Sequence, residues 1–397
     1  MTRMARTSPD TAILGAGPAG LAAALALSSR GGARIITPSL PAATDVPRVD
    51  MVPAAFLAFL LELGIHPGQI GVHDLHDVRR IAWSDAVPET VRGSAVAHVE
   101  RPALELALLA ALERMSGFKI VPSPTTHTAD PGERVIDATG RRAVSATRIT
   151  GLAKPWIARV FSRYGAFDKA DQAFRLAALP AGYAYRLASP RLLAIGVVVS
   201  KAAGGMTPKD IEKYIQAAGA DWVLKGLGSL DSIQAGKGGV ASVQWSAGPS
   251  EPLRVGDASL ARDSLSAQGL CSGVADVVSL VRNSGHPDRL PNRERDQLKR
   301  HLAFLANAME HSRFRAEKPW AEYRRFLERA SGLLRSLGGT GAGPPALAIS
   351  APAARSTGRT ERRALAHRGL VSWSWACASA GVAIVTTRSQ LRLAPYW

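Results

Sequence analysis

The chain has 397 residues, of which 46% are hydrophobic and 20% charged, at a mean hydropathy of +0.02. These values exclude a disordered polyampholyte and a multi-span membrane protein, leaving about two or three globular domains or one large interleaved α/β enzyme. The formal charge of +17 comes from 49 Lys and Arg against 32 Asp and Glu, scattered rather than gathered into a stripe; this argues against a nucleic-acid partner and suits an acidic small molecule or protein at least as well.

Cys271 and Cys377 are the only cysteines, which excludes a disulfide framework and a cysteine-built zinc site and fits a reducing, cytoplasmic setting. Met1 to Asp10 has no apolar run of the secretory kind. The uncharged stretch Gly369 to Thr387 approaches the length of a membrane span, but its serines, threonines and glycines favour a buried or irregular segment, so no membrane partner is expected.

In chain order, Thr11 to Leu14 is a short apolar run entering Gly15-Ala16-Gly17-Pro18-Ala19-Gly20, followed by a helical Leu21 to Ser29 and a second strand, Arg34 to Thr37. Strand, glycine turn, helix and strand in this order form a dinucleotide-binding βαβ unit. The turn needs Gly15 for its tightness, Gly17 for close backbone approach to a pyrophosphate and Gly20 for packing of helix on strand, while the helix start presents amides to the phosphate. The composition predicts a helix over Val52 to Ile65, a loop-rich stretch to about residue 95, and a helix over Arg101 to Ser116 with Pro102 in its first turn. Strands follow at Lys119 to Val121 and Val135 to Asp137, then an antiparallel sheet within Trp156 to Ser200. Leu253 to Asp257 reads as a strand running into a turn and a long apolar helix, Ser266 to Val281, and a charged helical segment continues to about Arg335. From Gly338 onward the Gly, Ala, Pro, Ser and Arg content reads as linker and tail.

Three motifs stand in series: Gly15 to Gly20, Asp137-Ala138-Thr139-Gly140, and Gly256-Asp257. Together they resemble flavin-dependent monooxygenases of the glutathione-reductase-like class. Gly256-Asp257-Ala258 with Asp263-Ser264-Leu265-Ser266-Ala267-Gln268-Gly269-Leu270, Arg48-Val49-Asp50-Met51-Val52-Pro53, and Trp83-Ser84 resemble the branch that holds tryptophan halogenases. The nearest resemblance within it is to the non-halogenating flavoproteins that mature tryptophylquinone cofactors. It covers about residues 10 to 285.

The resemblance implies an α/β fold: a Rossmann-like FAD-binding domain (residues 10–50, 97–155 and 250–285) interleaved with an antiparallel-sheet substrate domain (51–96 and 156–249). A helical segment (286–337) and an irregular tail (338–397) follow. It also implies FAD as cofactor, reduced by NAD(P)H directly or through a separate flavin reductase, and hydroxylation of an electron-rich aromatic through a flavin C4a-hydroperoxide. The substrate would be an aromatic small molecule or a peptide- or protein-borne tryptophan. Carried over by position, Gly15, Gly17, Ala19 and Gly20 hold the pyrophosphate, Arg101 lies near the phosphates, Gly256 and Asp257 meet the ribityl chain, and the amides around Gln268 and Gly269 face the flavin pyrimidine edge. The alternatives are a reductase of the geranylgeranyl-reductase type and a non-catalytic flavin-binding maturation factor.

The departures from the pattern carry information of their own. An acid that holds the adenosine ribose ends the second strand in most such flavoproteins, whereas this chain reads Thr37-Pro38-Ser39, with Asp45 and Asp50 the next acids downstream. Ser264 stands where the branch has proline and Val49 where it has glycine. The halogenase lysine falls early in the chain, yet no lysine precedes Lys119; the halogenase Trp-x-Trp element would fall at Gly182 to Leu187, which has neither tryptophan, and Trp373-Ser374-Trp375 is a tail coincidence. Halogenation is therefore not expected. His73-Asp74-Leu75-His76-Asp77 could set two imidazoles on one helical turn as metal ligands, but reads better as a solvated loop, so no metal is assigned. Tyr183, Tyr185, Trp156 and Trp245 are expected in the core, and Asp276 on the helix after the flavin-side loop, remote from the cofactor.

Overall fold

A computed structural model describes residues 11–28, 33–38, 40, 47–115, 118–123, 133–151, 156–169, 172–235, 239–241, 243–247, 252–282 and 290–336. The segment Gly369 to Thr387, Trp373 to Trp375, Asp45 and the proposed tail lie outside these residues.

The first strand, β1 (Thr11–Leu14), passes through the glycine turn into α1 (Pro18–Ser28) and returns as β2 (Ala33–Thr37). Next come β3 (Val49–Pro53), α2 (Ala54–Glu62), β4 (Leu75–Ala82), β5 (Glu89–Glu100), α3 (Arg101–Glu113), β6 (Phe118–Pro122), β7 (Arg134–Asp137) and β8 (Arg148–Gly151). A second run of strands, β9 (Trp156–Tyr164), β10 (Phe174–Leu179), β11 (Gly182–Ala188) and β12 (Leu192–Ser200), leads to α4 (Pro208–Ala217) and the short β13 (Gln234–Ala235), β14 (Gly239–Ala241), β15 (Gln244–Ala247) and β16 (Leu253–Arg254). The last helices are α5 (Asp257–Leu260), α6 (Gly269–Arg282), α7 (Leu290–His311) and α8 (Lys318–Ser336).

Five strands form a parallel sheet in the order β16-β7-β1-β2-β6, with β1 in register against both β2 and β7. Its helix α1 is almost entirely Ala and Leu, and Leu21 to Ala24 are fully buried. Small side chains let α1 lie close to the sheet and to α6, making one core with Ile13, Ile35, Ile136, Val274 and Val277. The second sheet runs β13-β9-β12-β11-β10-β4-β5-β3, with β14 also on β9; its pairings are antiparallel except β10 on β4. Contacts of β3 with β11 and β12 close the sheet partly upon itself. Parallel Rossmann-like layer and largely antiparallel second sheet together bear out the expected α/β class.

Helices α7 and α8 cover one face of this second sheet. Trp83, Trp156, Trp320, Tyr183 and Tyr323 form the centre of that interface, with Trp156 edge-on to Trp320 at 5.4 Å. Indole hydrogen bonds from Trp83 to the Ala308 carbonyl (2.7 Å) and from Trp320 to the Leu179 carbonyl (2.9 Å) fix the helices to the strands. Trp156 and Tyr183 are core residues as expected; Tyr185 and Trp245 are half-buried and pack against the same cluster.

Two expectations fail. Val49 to Pro53 is a strand, so the helix expected from Val52 starts only at Ala54 and ends at Glu62. The stretch read as loop to residue 95 instead supplies β4 and most of β5. Two of its polar residues, His76 and Arg79, are buried by the sheet, and a bulge between His76 and Val78 breaks the two-residue alternation that betrays a strand. The helical turn that would have paired His73 with His76 therefore does not form: His76 stacks on His98, ring centroids 4.6 Å apart, and no group of potential metal ligands occurs among the described residues.

Candidate functional site

The carboxyl ends of β1, β7 and β16 converge at one edge of the parallel sheet, where open α/β sheets bind their ligands. Here the three turn glycines separate by cause. Gly15 has φ +100°, and a Cβ on it would meet the Ala138 carbonyl oxygen at 2.7 Å. A Cβ on Gly20 would collide with the Gly15 carbonyl. Both are glycine because the protein itself leaves no room. Gly17 has nothing within 4 Å of where its Cβ would be. Internal packing gives no reason for glycine there, so the space outside it is available to a ligand that needs backbone contact. The Gly15 amide is already spent on the Ile36 carbonyl (2.9 Å), so donors to an anion must come from later in the turn. The Ala19 side chain packs towards Gly256 and Gly273, which brings α1, α5 and α6 together.

Asp137 organises the next strand end. It is fully buried, accepts hydrogen bonds from the Thr139 amide (2.9 Å), the Thr139 hydroxyl (2.6 Å) and the Ser145 amide (2.8 Å), and so holds the turn whose Ala138 abuts Gly15. Gly256 at φ 60°, ψ −139° occupies backbone space that other residues avoid, and turns the chain so that Asp257 heads α5. The Asp257 carboxylate faces Gly269 at the start of α6, with 3.8 Å to the position of a Cβ there, and lies 3.9 Å from the Arg141 guanidinium. Asp276 is not remote: it accepts a hydrogen bond from the Gly256 amide (3.3 Å) and braces the same turn.

Arg101 heads α3 and donates to Asp50 at 2.6 Å, with Glu105 at 3.9 Å. Burial opposes its charge, yet the attraction of Asp50, Glu105 and Asp257 outweighs this and holds its pKa above the ordinary value. Burial likewise works against ionised Asp50, and Arg101 overrides it to keep that carboxyl below its usual range. Asp50 is thus committed to Arg101. At the end of β2, Thr37 is buried with its carbonyl accepting from the Ser123 amide (3.0 Å).

The segment before α6 is pinned by a network that the sequence shows only as letters of a motif. Asp263, 1% exposed, accepts from the Tyr183 hydroxyl (2.6 Å), the Tyr323 hydroxyl (2.9 Å) and the Leu265 amide (2.9 Å), while its own amide donates to His301 Nε2 (3.1 Å). Burial first, and the Asp263 charge second, push both tyrosines well above their ordinary pKa, so they stay neutral donors. Burial pushes His301 down to about 3, leaving it a neutral acceptor. Ser264, the position where the resembled branch has proline, is held by the Tyr183 hydroxyl at 2.7 Å.

The segment so held, Leu265 to Gln268, forms one wall of a pocket of about 80 Å³. The facing wall comes from the second sheet: Met51 to Pro53, Arg79, Ile81, Val96, Phe174 and Leu176. Apart from Arg79 the sheet wall is apolar, a composition that suits an organic ring system shielded from water. Of the residues singled out in sequence, Gly15, Gly17, Ala19, Gly20, Gly256, Asp257 and Gly269 gather at the carboxyl edge of the parallel sheet, Arg101 reaches Asp257 through its field, and Gln268 lines the pocket. No motif in the sequence marks Arg79 or Arg141, and Asp276, expected to be remote, instead reaches the Gly256 turn. Arg79 lay in the stretch read as loop; had β4 been recognised, its spacing from Ile81 would have put both on one face.

No protein-family model matches the chain, and no curated protein matches its sequence. Solved structures do. The peptidyl tryptophan dihydroxylase QhpG, essential for tryptophylquinone cofactor biogenesis, superposes with a TM-score of 0.62 at 18% identity, covering 80% of this chain and 79% of that one. A tryptophan halogenase from Shewanella frigidimarina NCIMB 400 gives 0.64 at 11% identity over 94% and 95% of the two chains. The flavin-dependent halogenase CmlS gives 0.59 at 17% identity over 83% and 71%. The chain therefore has the fold of the flavin-dependent tryptophan halogenases and of QhpG, as the motifs led one to expect.

Proposed function

We propose that the protein is an FAD-dependent monooxygenase that hydroxylates an electron-rich aromatic substrate. The observation that carries this reading is the contrast between Gly17, whose Cβ position is open, and Gly15 and Gly20, whose Cβ positions are filled by the protein itself. A pyrophosphate cradle accounts for a glycine that packing does not require. Reduced FAD would supply the oxygen-activating chemistry there, with electrons from NAD(P)H directly or through a separate flavin reductase.

This chain's residues bind, orient and exclude water. The amides from Gly17 to Gly20 and the positive end of α1 would hold the pyrophosphate, and Arg101 adds positive charge near it. Asp257, held beside the α6 start, would accept hydrogen bonds from the ribityl hydroxyls. The amides of Gln268 and Gly269 at the amino end of α6 would stabilise negative charge on the flavin pyrimidine edge. Asp263, through Tyr183 and Tyr323, fixes the segment that carries them. The apolar sheet wall would keep water from the oxygen-transfer step and receive the aromatic ring.

The similarity to QhpG favours a tryptophan-like ring as substrate over an alkene, and the absence of any lysine before Lys119 favours oxygenation over halogenation. Purified protein should be yellow, and turnover under ¹⁸O₂ with a reductant should place one labelled atom in the product. A colourless protein that takes up no FAD would overturn the reading. Reduction of an alkene without label would establish the reductase alternative.

A further inference from the structure

Arg79 is 4% exposed and lines the pocket. Its only described hydrogen bond runs from Nη2 to the Ser94 carbonyl at 3.1 Å, and its Nε has no partner. Among the described residues no carboxylate forms an ion pair with it. Burial alone lowers its pKa, with no acid close enough to counter that effect. His98, whose charged form Arg79 disfavours, and His76, stacked on it, are both pushed below their ordinary pKa by burial, His98 to about 3. Both are therefore neutral near pH 7 and supply no negative charge. A guanidinium in this position is a desolvated cation without a counter-ion, an arrangement that costs free energy unless a ligand completes it. The walls around it, including Met51, Phe174, Leu176, Leu265 and Phe304, are apolar. The pocket therefore offers one charge at one place, and the other polar side chains of its lining, Ser266 and Gln268 on the facing wall, are uncharged.

We propose that Arg79 receives a carboxylate on the substrate, so that the pocket takes an aromatic acid whose ring lies against the apolar walls. This rests on the reading of the pocket as the site of aromatic hydroxylation and narrows its substrate to a ring bearing one carboxylate. A guanidinium suits that partner because its planar fork can meet both carboxylate oxygens. The single cation also sets the orientation of the ring, since the acid end can be satisfied only beside β4.

The test is calorimetric binding of indole-3-acetate and of indole-3-acetamide, a neutral compound of nearly the same shape, to the protein as purified, with flavin content recorded by absorbance. Wild type should bind the acid about tenfold to a hundredfold more tightly than the amide, the range expected for one charge-assisted hydrogen-bonded pair. In Arg79→Met, which keeps the apolar stem, the ratio should fall to about one, and Arg79→Lys should retain part of it. Equal affinities in wild type, no binding of the acid, or a ratio that survives Arg79→Met would each overturn the proposal. So would loss of FAD from Arg79→Met with the ratio unchanged, which would make Arg79 a cofactor residue. The wild-type comparison stands even if a variant fails to fold. A failure of the hydroxylation reading appears separately, as missing flavin or missing ¹⁸O in the product.

Discussion

Gly17→Val and Gly15→Ala sit two residues apart in one turn and should fail in opposite ways. At Gly15 the backbone has φ +100°, and an alanine Cβ would stand 2.7 Å from the Ala138 oxygen, against ordinary contact at 3.4 Å or more. Left-handed strain of about 1 to 3 kcal/mol and an overpacking cost of similar size add, so Gly15→Ala should lose about 2 to 6 kcal/mol of stability without any cofactor present. At Gly17 the Cβ position has no neighbour within 4 Å. Apart from about 1 kcal/mol of helix-capping preference, Gly17→Val should leave the apoprotein intact. Its isopropyl group would instead occupy the open space in which the proposed pyrophosphate would sit. Losing one or two charge-assisted amide bonds, at about 1.5 to 3 kcal/mol each, weakens FAD binding by at least about tenfold. Urea denaturation of the apoprotein and FAD titration by flavin fluorescence separate the two quantities. If Gly17→Val destabilises the apoprotein as much as Gly15→Ala, or binds FAD like wild type, the space beside Gly17 is not a cofactor cradle.

Asp257→Ala should weaken FAD binding by about 1.5 to 3 kcal/mol. Asp276→Ala, which frees the Gly256 amide, should weaken it to a lesser degree, and exposed Asp296→Ala should leave it unchanged; three equal dissociation constants would show that this turn does not contact FAD. Turnover with reductant, O₂ and bromide should yield oxygenated products only, and protein-dependent brominated indole would contradict that. His98 and His301 titrate near 3 when folded against 6.5 when unfolded, so between these values the unfolded chain binds more protons. Stability should thus be full above about pH 6.5 and fall towards acid by about 1.4 kcal/mol per pH unit for each histidine. Urea midpoints at pH 7 and pH 5 should show this slope reduced in His98→Phe; an unchanged slope would mean that His98 is already charged or exposed in the fold.

What the sequence determined by itself was the local part of the site. The turn from Gly15 to Gly20 is legible because a tight turn, a close approach and a helix start demand glycine at fixed short spacings, and α1, β2, α3 and β7 follow from apolar runs with clear ends. Gly256 and Asp257 were legible for the same reason, as a contiguous motif. The tertiary structure alone decided what those glycines are for: Gly15 and Gly20 are filled by Ala138 and by the turn itself, and only Gly17 opens outward, a difference that depends on a strand more than a hundred residues away. It likewise decided that Asp50 belongs to Arg101, that Asp276 braces the Gly256 turn, and that Asp263 collects two tyrosines from β11 and α8. Most of all, it made β4 a strand and put Arg79 into the pocket wall. A polar segment with a bulge carries no periodic signal, because its burial comes from β5 and β10 on either side, and those contacts exist only once the sheet has formed.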